Sequence, residues 1–242
     1  MKRERPIVAR ARPIVAIDGP VGAGKSTVAR ALARALGFSY LNTGAMYRAV
    51  AVAARAAGIS PFGADGDDPA EAKAAEEHLR KLFDTMSIAF DGERILLNGR
   101  DITDIITQPE IGDLASRFSA IALVRDSLRG VQRAAGERGG VVMEGRDIGT
   151  AIFPDAEIKF FLIADAAVRA ARRYAELAAK GVATTLAEVA AQLAKRDRRD
   201  AGRALAPLKP AADAIVIDST GRGVDAVVNE MKSRVEAISR AI

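Results

Sequence analysis

The sequence has no cysteine and a single histidine among its 242 residues. Disulfides and thiolate metal sites are therefore excluded, and a structural zinc site is disfavoured because zinc is held mainly by these two residue types. Tryptophan is also absent, and only 5% of the residues are aromatic. So few aromatic side chains argue against a surface on which nucleic-acid bases stack, and no specific nucleic-acid partner is expected.

Long apolar runs are missing as well. No stretch approaches the ~18 apolar residues that a membrane span requires, so no membrane association is expected. The first twelve residues, "MKRERPIVARAR" at 1–12, form a basic tail without the apolar core of a secretory signal. We therefore expect a cytoplasmic protein, and we expect it to be a monomer.

The charge balance is positive, with 36 Lys and Arg against 31 Asp and Glu, a formal net charge of +5. Such a balance fits a nucleic-acid binder, or an enzyme whose substrates carry phosphate groups. The remaining composition, 49% hydrophobic and 28% charged, is that of a globular chain with a substantial core. Small phosphorylated substrates are the favoured interpretation, but charge alone does not separate the two classes.

Short apolar runs alternate with helical patterns along the chain. The runs predict five buried strands, at 13–18, 38–41, 140–144, 158–164 and 214–218. Helical patterns cover 25–36, 44–57, 121–138, 165–180, 185–200 and 222–240. This alternation predicts an α/β fold in which helices flank a five-stranded parallel sheet.

Two regions break the alternation. The first, at approximately 60–115, contains a charged helical pattern and then short strand-like runs separated by Asp91-Gly92 and Asn98-Gly99. Those dipeptides suit tight hairpin turns, so the region predicts a small antiparallel insert. The second, at approximately 169–203, is rich in Arg and Ala and predicts a helical hairpin that carries cations.

The stretch "GPVGAGKST" fits G-x-x-x-x-G-K-[ST], with a predicted strand before it and a predicted helix after it. Its glycines allow successive N–H groups to point at phosphate oxygens, and the start of the helix adds positive partial charge. Lys25 should reach the β- and γ-phosphates, and the Ser26 hydroxyl should bind Mg²⁺. The predicted ATP-binding residues are Gly19, Pro20, Val21, Gly22, Ala23, Gly24, Lys25, Ser26 and Thr27.

The rest of the chain favours a small kinase over a GTPase switch. The nearest string to a guanine-reading Asn/Thr-Lys-x-Asp motif is "AKRD" at 194–197, which lies inside a helical pattern. A kinase also needs cations for transition-state charge, and Arg196, Asp200 and Arg203 share one helix face at i, i+4 and i+7. On spacing alone this trio could equally be a surface ion pair worth little energy.

Further arginines favour a lid that closes over phosphate groups, because they raise the local positive charge beyond what nearby carboxylates neutralise. They are Arg169, Arg172, Arg173, Arg198 and Arg199. A second charged cluster, Glu144, Arg146 and Asp147, follows a predicted strand. Residues just past the carboxyl end of such a strand face the ligand crevice of an open α/β sheet.

Four blocks together resemble the bacterial cytidylate kinases: "AIDGPVGAGKST", "NTGAMYR", "EGRDIGTAIFPDA" and "RDRRDAGRALAPLKPAADAIVIDST". The resemblance covers about residues 13–220, within a single domain that extends to 242. It implies a P-loop kinase fold whose insert binds a nucleotide and whose hairpin acts as a lid. It also implies transfer of the ATP γ-phosphoryl group to CMP or dCMP, with Mg²⁺.

The resemblance assigns roles to single residues. The CMP-binding residues would be Thr43, Tyr47, Arg48, Ser116, Arg125, Glu144, Arg146, Asp147, Asp200 and Arg203, and the catalytic cations Lys25, Arg146, Arg196 and Arg203. Arg48 would hold the CMP phosphate, while Ser116 and Arg125 would read the cytosine. From the pattern alone, Ser116 and Arg125 would be surface helix residues. Many family members have Asp where this chain has Glu144, which moves the carboxylate outward by one methylene group.

Other interpretations remain open from the sequence. A P-loop kinase for another acceptor, such as UMP, AMP or a phosphorylated metabolite, would carry the same phosphate loop. A nucleotide-gated nucleic-acid binder would account for the positive charge. Asp18, directly before the phosphate loop, could either cap a turn or face Mg²⁺ through water.

Overall fold

The computed structural model describes residues 10–62 and 68–240, which form two compact units. The first unit contains the described residues up to Asn42 and from Arg133 onward, and the second is Thr43–Gln132. Of the predicted basic tail, residues 1–9 lie outside the described ranges. Within those ranges, no helix combines the length and the apolar character that crossing a membrane would take.

The predicted strands and helices are confirmed, each within two residues of its expected ends. The strands of the described chain are β1 Ile14–Asp18, β2 Ser39–Asn42, β3 Ile88–Asp91, β4 Arg94–Leu97, β5 Arg100–Asp101, β6 Val141–Glu144, β7 Ile158–Ile163 and β8 Ile215–Asp218. The helices are α1 Lys25–Leu36, α2 Thr43–Ala56, α3 Pro69–Thr85, α4 Pro109–Phe118, α5 Ala122–Gly136, α6 Ala166–Ala179, α7 Leu186–Ala201 and α8 Val224–Ser239. A 3₁₀ turn at Ile105–Thr107 and a π-helical turn at Ile148–Ile152 lie between them.

A five-stranded parallel sheet in the order β2-β6-β1-β7-β8 forms the centre of the first unit. All residues of β1 are buried, which explains why the strand appears in the sequence as a continuous apolar run. β1 pairs with β6 in a register that sets Ile17 opposite Glu144. The carboxyl ends of these two neighbouring strands therefore bring the phosphate loop and Glu144 to the same edge of the sheet.

Helices α1 and α8 cover the sheet of the first unit. Val28 and Leu32 of α1, together with Val227 and Met231 of α8, join the buried core that the strands form. A smaller apolar cluster joins α6 to α7, which form the predicted helical hairpin. At the start of α7, a capping box fixes the helix end.

The second unit contains the small antiparallel sheet predicted for the insert, in the order β3-β4-β5. Asn98 and Gly99 link β4 to β5 with φ of 50° and 78°, as a two-residue type I′ turn requires. The sequence pattern did not predict α4. This helix is only ten residues long, it starts at Pro109 and it contains Gly112, so its intrinsic preference for helix is weak. Its buried face, at Ile111 and Phe118, shows that tertiary packing stabilises it.

Candidate active site

The phosphate loop joins β1 to α1 through three glycines with positive φ. Gly19, Gly22 and Gly24 have φ of 147°, 78° and 88°. A Cβ atom at Gly19 would lie 2.1 Å from the carbonyl oxygen of Leu162, so both the backbone conformation and the close approach require glycine. Ser26 and Thr27 are exposed in the first turn of α1, where the helix N–H groups have no partners within the helix. The loop thus has the geometry of an anion site.

Lys25 is buried at the start of α1, and its Nζ donates a hydrogen bond to the Pro20 carbonyl at 2.6 Å. Burial lowers the pKa of Lys25 well below its ordinary value, and the positive charge of Arg146 lowers it further. An anionic phosphate in the loop would oppose both effects, because a nearby negative charge favours the ammonium form. The amine is therefore placed to bind the charge of a nucleotide.

Side chains from elsewhere in the first unit hold the carbonyl groups of the phosphate loop. Arg169 of α6 donates from Nη1 to the Val21 carbonyl at 3.1 Å and to the Asp197 carboxylate at 2.7 Å. Ser219 donates from Oγ to the Ala23 carbonyl at 3.0 Å, and Arg172 in turn donates to Ser219. These bonds hold carbonyl groups of the loop and so help to fix its backbone.

Two of the further arginines of the predicted lid have carboxylate partners. The predicted excess of arginine over nearby carboxylates, and the lid role that it favours, stay predictions. Arg169 pairs with Asp197, and Arg173 pairs with Glu176 at 2.7 Å. Helical spacing does not show the first pair because it joins α6 to α7, whereas Arg173 and Glu176 stand at i and i+3 within α6.

Asp18 is buried at the end of β1 and holds the π-helical turn. Its two carboxylate oxygens accept hydrogen bonds from the backbone N–H groups of Ile148 and Gly149, at 2.9 and 2.8 Å. Of the two roles that the sequence left open, this geometry supports the cap. Burial raises the pKa of Asp18 to about 6, although the two N–H donors lower it in part.

The raised pKa of Asp18 predicts a pH-dependent stability. Because the pKa in the folded protein is about 6 and the ordinary value is 3.8, the folded state binds more protons than the unfolded state between these pH values. The contribution of Asp18 to the free energy of unfolding is therefore complete below the ordinary pKa and is lost as the pH rises through 6. We expect the unfolding free energy of the wild type, minus that of Asp18→Asn, to fall by about 1 kcal/mol from pH 5 to pH 7. Urea unfolding of both proteins would measure this, and a pH-independent difference would contradict it.

Glu144 lies at the end of β6 and contacts the start of α1. Its Oε2 accepts a hydrogen bond from Ser26 Oγ at 3.0 Å, and its Oε1 accepts one from the Tyr40 hydroxyl at 2.5 Å. Glu144 is buried, whereas Ser26 is exposed. The carboxylate thus lies beside the serine that the sequence assigns to Mg²⁺. Contact between Glu144 and CMP stays a prediction.

Asp200 gathers the three arginines assigned to catalysis. Its carboxylate lies 2.5 Å from Arg203 Nη2, 3.2 Å from Arg146 Nε and 3.9 Å from Arg196 Nε. The Asp200 side chain is only 1% exposed, so the alternative of a surface ion pair is wrong. Three guanidinium groups that share one carboxylate favour the approach of further anions, such as phosphate groups.

Asp147 directly follows Arg146 in the chain, and it is buried. Its carbonyl oxygen accepts the N–H groups of Thr150, Ala151 and Ile152. Its backbone therefore caps the π-helical turn. Contact between the Asp147 side chain and CMP stays a prediction.

In the second unit, α2, α4 and α5 position the residues assigned to the acceptor nucleotide. Ser116 is 2% exposed and Arg125 is 4% exposed, so the surface positions expected from the pattern are wrong. The Arg125 guanidinium lies 5.8 Å from the centre of the Tyr47 ring, and its Nη1 donates to the Ser119 carbonyl at 3.2 Å. A buried cation beside an aromatic ring can hydrogen-bond the polar edge of a planar base.

Thr43 starts α2, and Tyr47 follows one turn later on the same face. Both residues are buried, and Arg48 is half-buried at the next position. The helix therefore brings a hydroxyl, an aromatic ring and a guanidinium into one short segment.

Comparison with known proteins identifies the family. The model of the family "Cytidylate kinase" matches residues 15–237. The chain belongs to the cytidylate kinase family. A cytidylate kinase of Citrifermentans bemidjiense is 50% identical over 227 residues, covering 92% of this chain and 92% of that protein. A cytidylate kinase of Syntrophotalea carbinolica is 49% identical over 222 residues, covering 90% of this chain and 89% of that protein.

A solved structure shares the fold. It is an uncharacterized protein from Eubacterium ventriosum, with a TM-score of 0.50 and 14% identity, covering 93% of this chain and 99% of that one. At this identity the likeness concerns the fold alone. The family predicted from four sequence blocks is thus confirmed by the cytidylate kinase matches, and the α/β fold by the strands and helices themselves.

The described residues of this cytidylate kinase family member contain no group of three or more His, Asp or Glu side chains that could hold a metal ion. Near the phosphate loop, the Ser26 hydroxyl and the Glu144 carboxylate carry oxygen atoms that can act as metal ligands. Mg²⁺ prefers oxygen ligands and is often bound by one or two protein groups together with substrate phosphates. The residues present therefore fit a Mg²⁺ ion that binds with a nucleotide.

Sequence reasoning missed Tyr40 and Ser219 as parts of the site. It assigned Arg169 and Arg172 to the lid, but it did not predict their contacts with Val21 and Ser219. Tyr40 lies 104 positions from Glu144, and Arg169 lies 148 positions from Val21. Residue type and local spacing carry no signal for partners so far apart in the chain. The parallel pairing of β2 with β6, had it been known, would have placed Tyr40 near Glu144.

Proposed function

We propose that the chain transfers the γ-phosphoryl group of ATP to CMP and dCMP, giving ADP and CDP or dCDP. The observation that carries this proposal is 50% identity to a cytidylate kinase across 92% of both chains. The phosphate loop and the Asp200 arginine cluster support it, because phosphoryl transfer needs positioned donors and cations.

ATP would bind at 19–27. The N–H groups of the loop and of the first turn of α1 would hold phosphate oxygens, and Lys25 would exchange its bond to the Pro20 carbonyl for the β- and γ-phosphates. Ser26 would hold Mg²⁺, with Glu144 beside it. When bound, Mg²⁺ would neutralise the charge that develops between these phosphates.

CMP would be bound by Thr43, Tyr47 and Arg48 at its phosphate end. Ser116 and Arg125 would read the cytosine, and the burial of both side chains supports a role in base recognition, since a buried site that hydrogen-bonds its substrate discriminates against an analogue without the matching group. Arg146, Asp147, Asp200 and Arg203 would complete the acceptor contacts.

The acceptor phosphate is already anionic, so its oxygen can attack the γ-phosphorus without a strong general base. Catalysis would depend on alignment and on charge stabilisation by Lys25, Arg146, Arg196 and Arg203. The α6–α7 hairpin would act as the lid that excludes water from the γ-phosphate. A chain with one histidine and no cysteine can therefore catalyse this step.

The proposal is tested by a coupled assay of ADP release from Mg-ATP with CMP, dCMP, UMP, AMP and GMP as acceptors. We expect strong preference for CMP and dCMP. Equal turnover of UMP would retain a kinase but overturn the cytosine contacts of Ser116 and Arg125. An absence of turnover with every monophosphate, in protein that still binds ATP, would overturn the proposal.

Arg125→Met tests the base contact directly. Because the variant keeps most of the side-chain volume and removes the charged donor, we expect KM for CMP to rise about 10- to 100-fold. KM for ATP should change less than about twofold, since Arg125 is not assigned to the donor nucleotide. Arg129→Met on the same helix is the matched control, because that arginine is 42% exposed and pairs with Asp126 at the surface. Equal KM values for CMP in both variants would show that Arg125 does not read the base.

A further inference from the structure

Tyr40 has no part in the proposed phosphoryl transfer, yet its hydroxyl donates a hydrogen bond of 2.5 Å to Glu144 and so links β2 to β6. Ser26 of α1 donates to the same carboxylate at 3.0 Å. Tyr40 projects from β2, which pairs with β6 in a register that sets Asn42 opposite Glu144. The bond is therefore fixed by two strands of the central sheet rather than by a surface loop.

The glutamate needs such a support. Its side chain has three rotatable bonds and a buried carboxylate, whose desolvation has to be offset by hydrogen bonds. A tyrosine ring has few rotamers, so a strand-mounted phenol restricts the carboxylate more than a flexible donor would. Arg30 of α1 lies with its guanidinium 5.4 Å from the centre of the Tyr40 ring and restricts the ring in turn.

The protonation of the Tyr40 phenol also suits a hydrogen-bond donor. Burial raises the pKa of the Tyr40 phenol, and the negative charge of Glu144 raises it further. The phenol therefore stays protonated at neutral pH and donates a hydrogen bond to the carboxylate.

The direction of the Ser26 bond then decides what that serine offers a ligand. A hydroxyl has one proton and two acceptor lone pairs, and here the proton is directed to Glu144. The lone pairs remain for a cation, and Ser26 itself is exposed. Residues that hydrogen-bond a metal ligand orient that ligand, and their mutation commonly lowers the affinity for the metal by about 10- to 100-fold.

We infer that Tyr40 is a positioning residue, which holds Glu144 so that the Ser26 hydroxyl presents its lone pairs to the metal ion of a bound nucleotide. The inference rests on the proposed function for the identity of that ligand, Mg-ATP. It concerns binding of the donor nucleotide and does not depend on which acceptor is phosphorylated.

The test is calorimetric titration of ATP into the full chain, once with Mg²⁺ and once with EDTA, for the wild type and Tyr40→Phe. In Mg²⁺ we expect the affinity for ATP to fall about tenfold in the variant. In EDTA we expect a change of less than about twofold, because the loop N–H groups and Lys25 contact phosphates without the metal. Ser39→Ala is the matched control, since it removes an exposed hydroxyl from the opposite face of β2.

An equal loss in Mg²⁺ and EDTA would overturn the inference, because a merely structural role lowers both affinities. No loss in Mg²⁺ would overturn it as well. A double-mutant cycle with Glu144→Gln tests whether Tyr40 acts through Glu144. In the Glu144→Gln background, Tyr40→Phe should change the affinity for Mg-ATP by less than about twofold, since the two residues act in one chain of contacts.

These outcomes are separate from the proposed function. A protein that shows the Mg²⁺-dependent difference but phosphorylates neither CMP nor dCMP would retain the role of Tyr40 and lose the proposed acceptor. A protein that phosphorylates CMP and shows no such difference would retain the proposed function and lose the role of Tyr40.

Discussion

Replacing Lys25 with alanine is expected to lower kcat about a thousandfold, while CMP binds almost as before. Lys25 is the buried cation of the phosphate loop, and its amine lies 2.6 Å from a loop carbonyl that a nucleotide phosphate would replace as its partner. The charge that Lys25 is proposed to stabilise would develop during transfer, so the loss should fall on kcat rather than on acceptor binding. Steady-state ADP release at saturating substrates and a direct titration with CMP would measure the two effects.

Two variants make the Lys25 experiment specific. Lys25→Met keeps the length of the side chain and removes the charge, and it should lose as much activity as Lys25→Ala. Lys232→Ala removes a lysine that is 39% exposed on α8 and should leave kcat within about twofold. Turnover of Lys25→Ala near that of the wild type would refute the assigned role.

Asp200→Ala is the substitution with the largest expected effect on stability. We expect the free energy of unfolding to fall by about 3–5 kcal/mol, because breaking a buried ion pair leaves its partners without compensation. Arg203 is nearly as buried as Asp200, with a side chain 5% exposed, and Arg146 and Arg196 share the same carboxylate. Urea unfolding monitored by circular dichroism would measure the loss.

The matched control for Asp200→Ala is Glu176→Ala in the other helix of the hairpin. Glu176 also contacts two cations, Arg173 and Lys180, but its side chain is 50% exposed. We expect its removal to cost less than about 1 kcal/mol. Similar losses of unfolding free energy in the two variants would contradict the prediction that burial of Asp200 increases the contribution of its cluster to stability. Asp200→Ala should in addition lower kcat/KM for CMP, because the arginines would lose their common anchor.

The sequence predicts those parts of the fold that depend on neighbours in the chain. The bounds of α1 follow from Gly24 and Gly37, which flank it with φ of 88° and 62°. The turn at Asn98-Gly99 is predictable for the same reason, since two residues alone decide its type. The spacing of Arg196 and Asp200 predicts their common face of α7. The same prediction is wrong for Arg203, which lies beyond the end of that helix at Ala201.

What the sequence does not predict is burial and long-range contact. Spacing cannot distinguish a surface ion trio from one around a carboxylate that is 1% exposed. The burial of Ser116 and Arg125 depends on how α4 and α5 pack, and α4 itself is a helix that packing rather than local preference stabilises. The contact of Tyr40 with Glu144 is set by the pairing of β2 with β6.

The hydrogen bonds that hold the carbonyl groups of the phosphate loop also affect the free energy of nucleotide binding. Val21 and Ala23 are held by Arg169 and Ser219, which belong to the α6–α7 hairpin and to the segment after β8. The loop is therefore ordered when the first unit folds, and a nucleotide that enters it loses little affinity to freezing the backbone. Its preorganisation depends on two distant segments of the chain. Grafting "GPVGAGKST" alone onto another α/β protein would therefore transfer the motif without the contacts that fix its backbone.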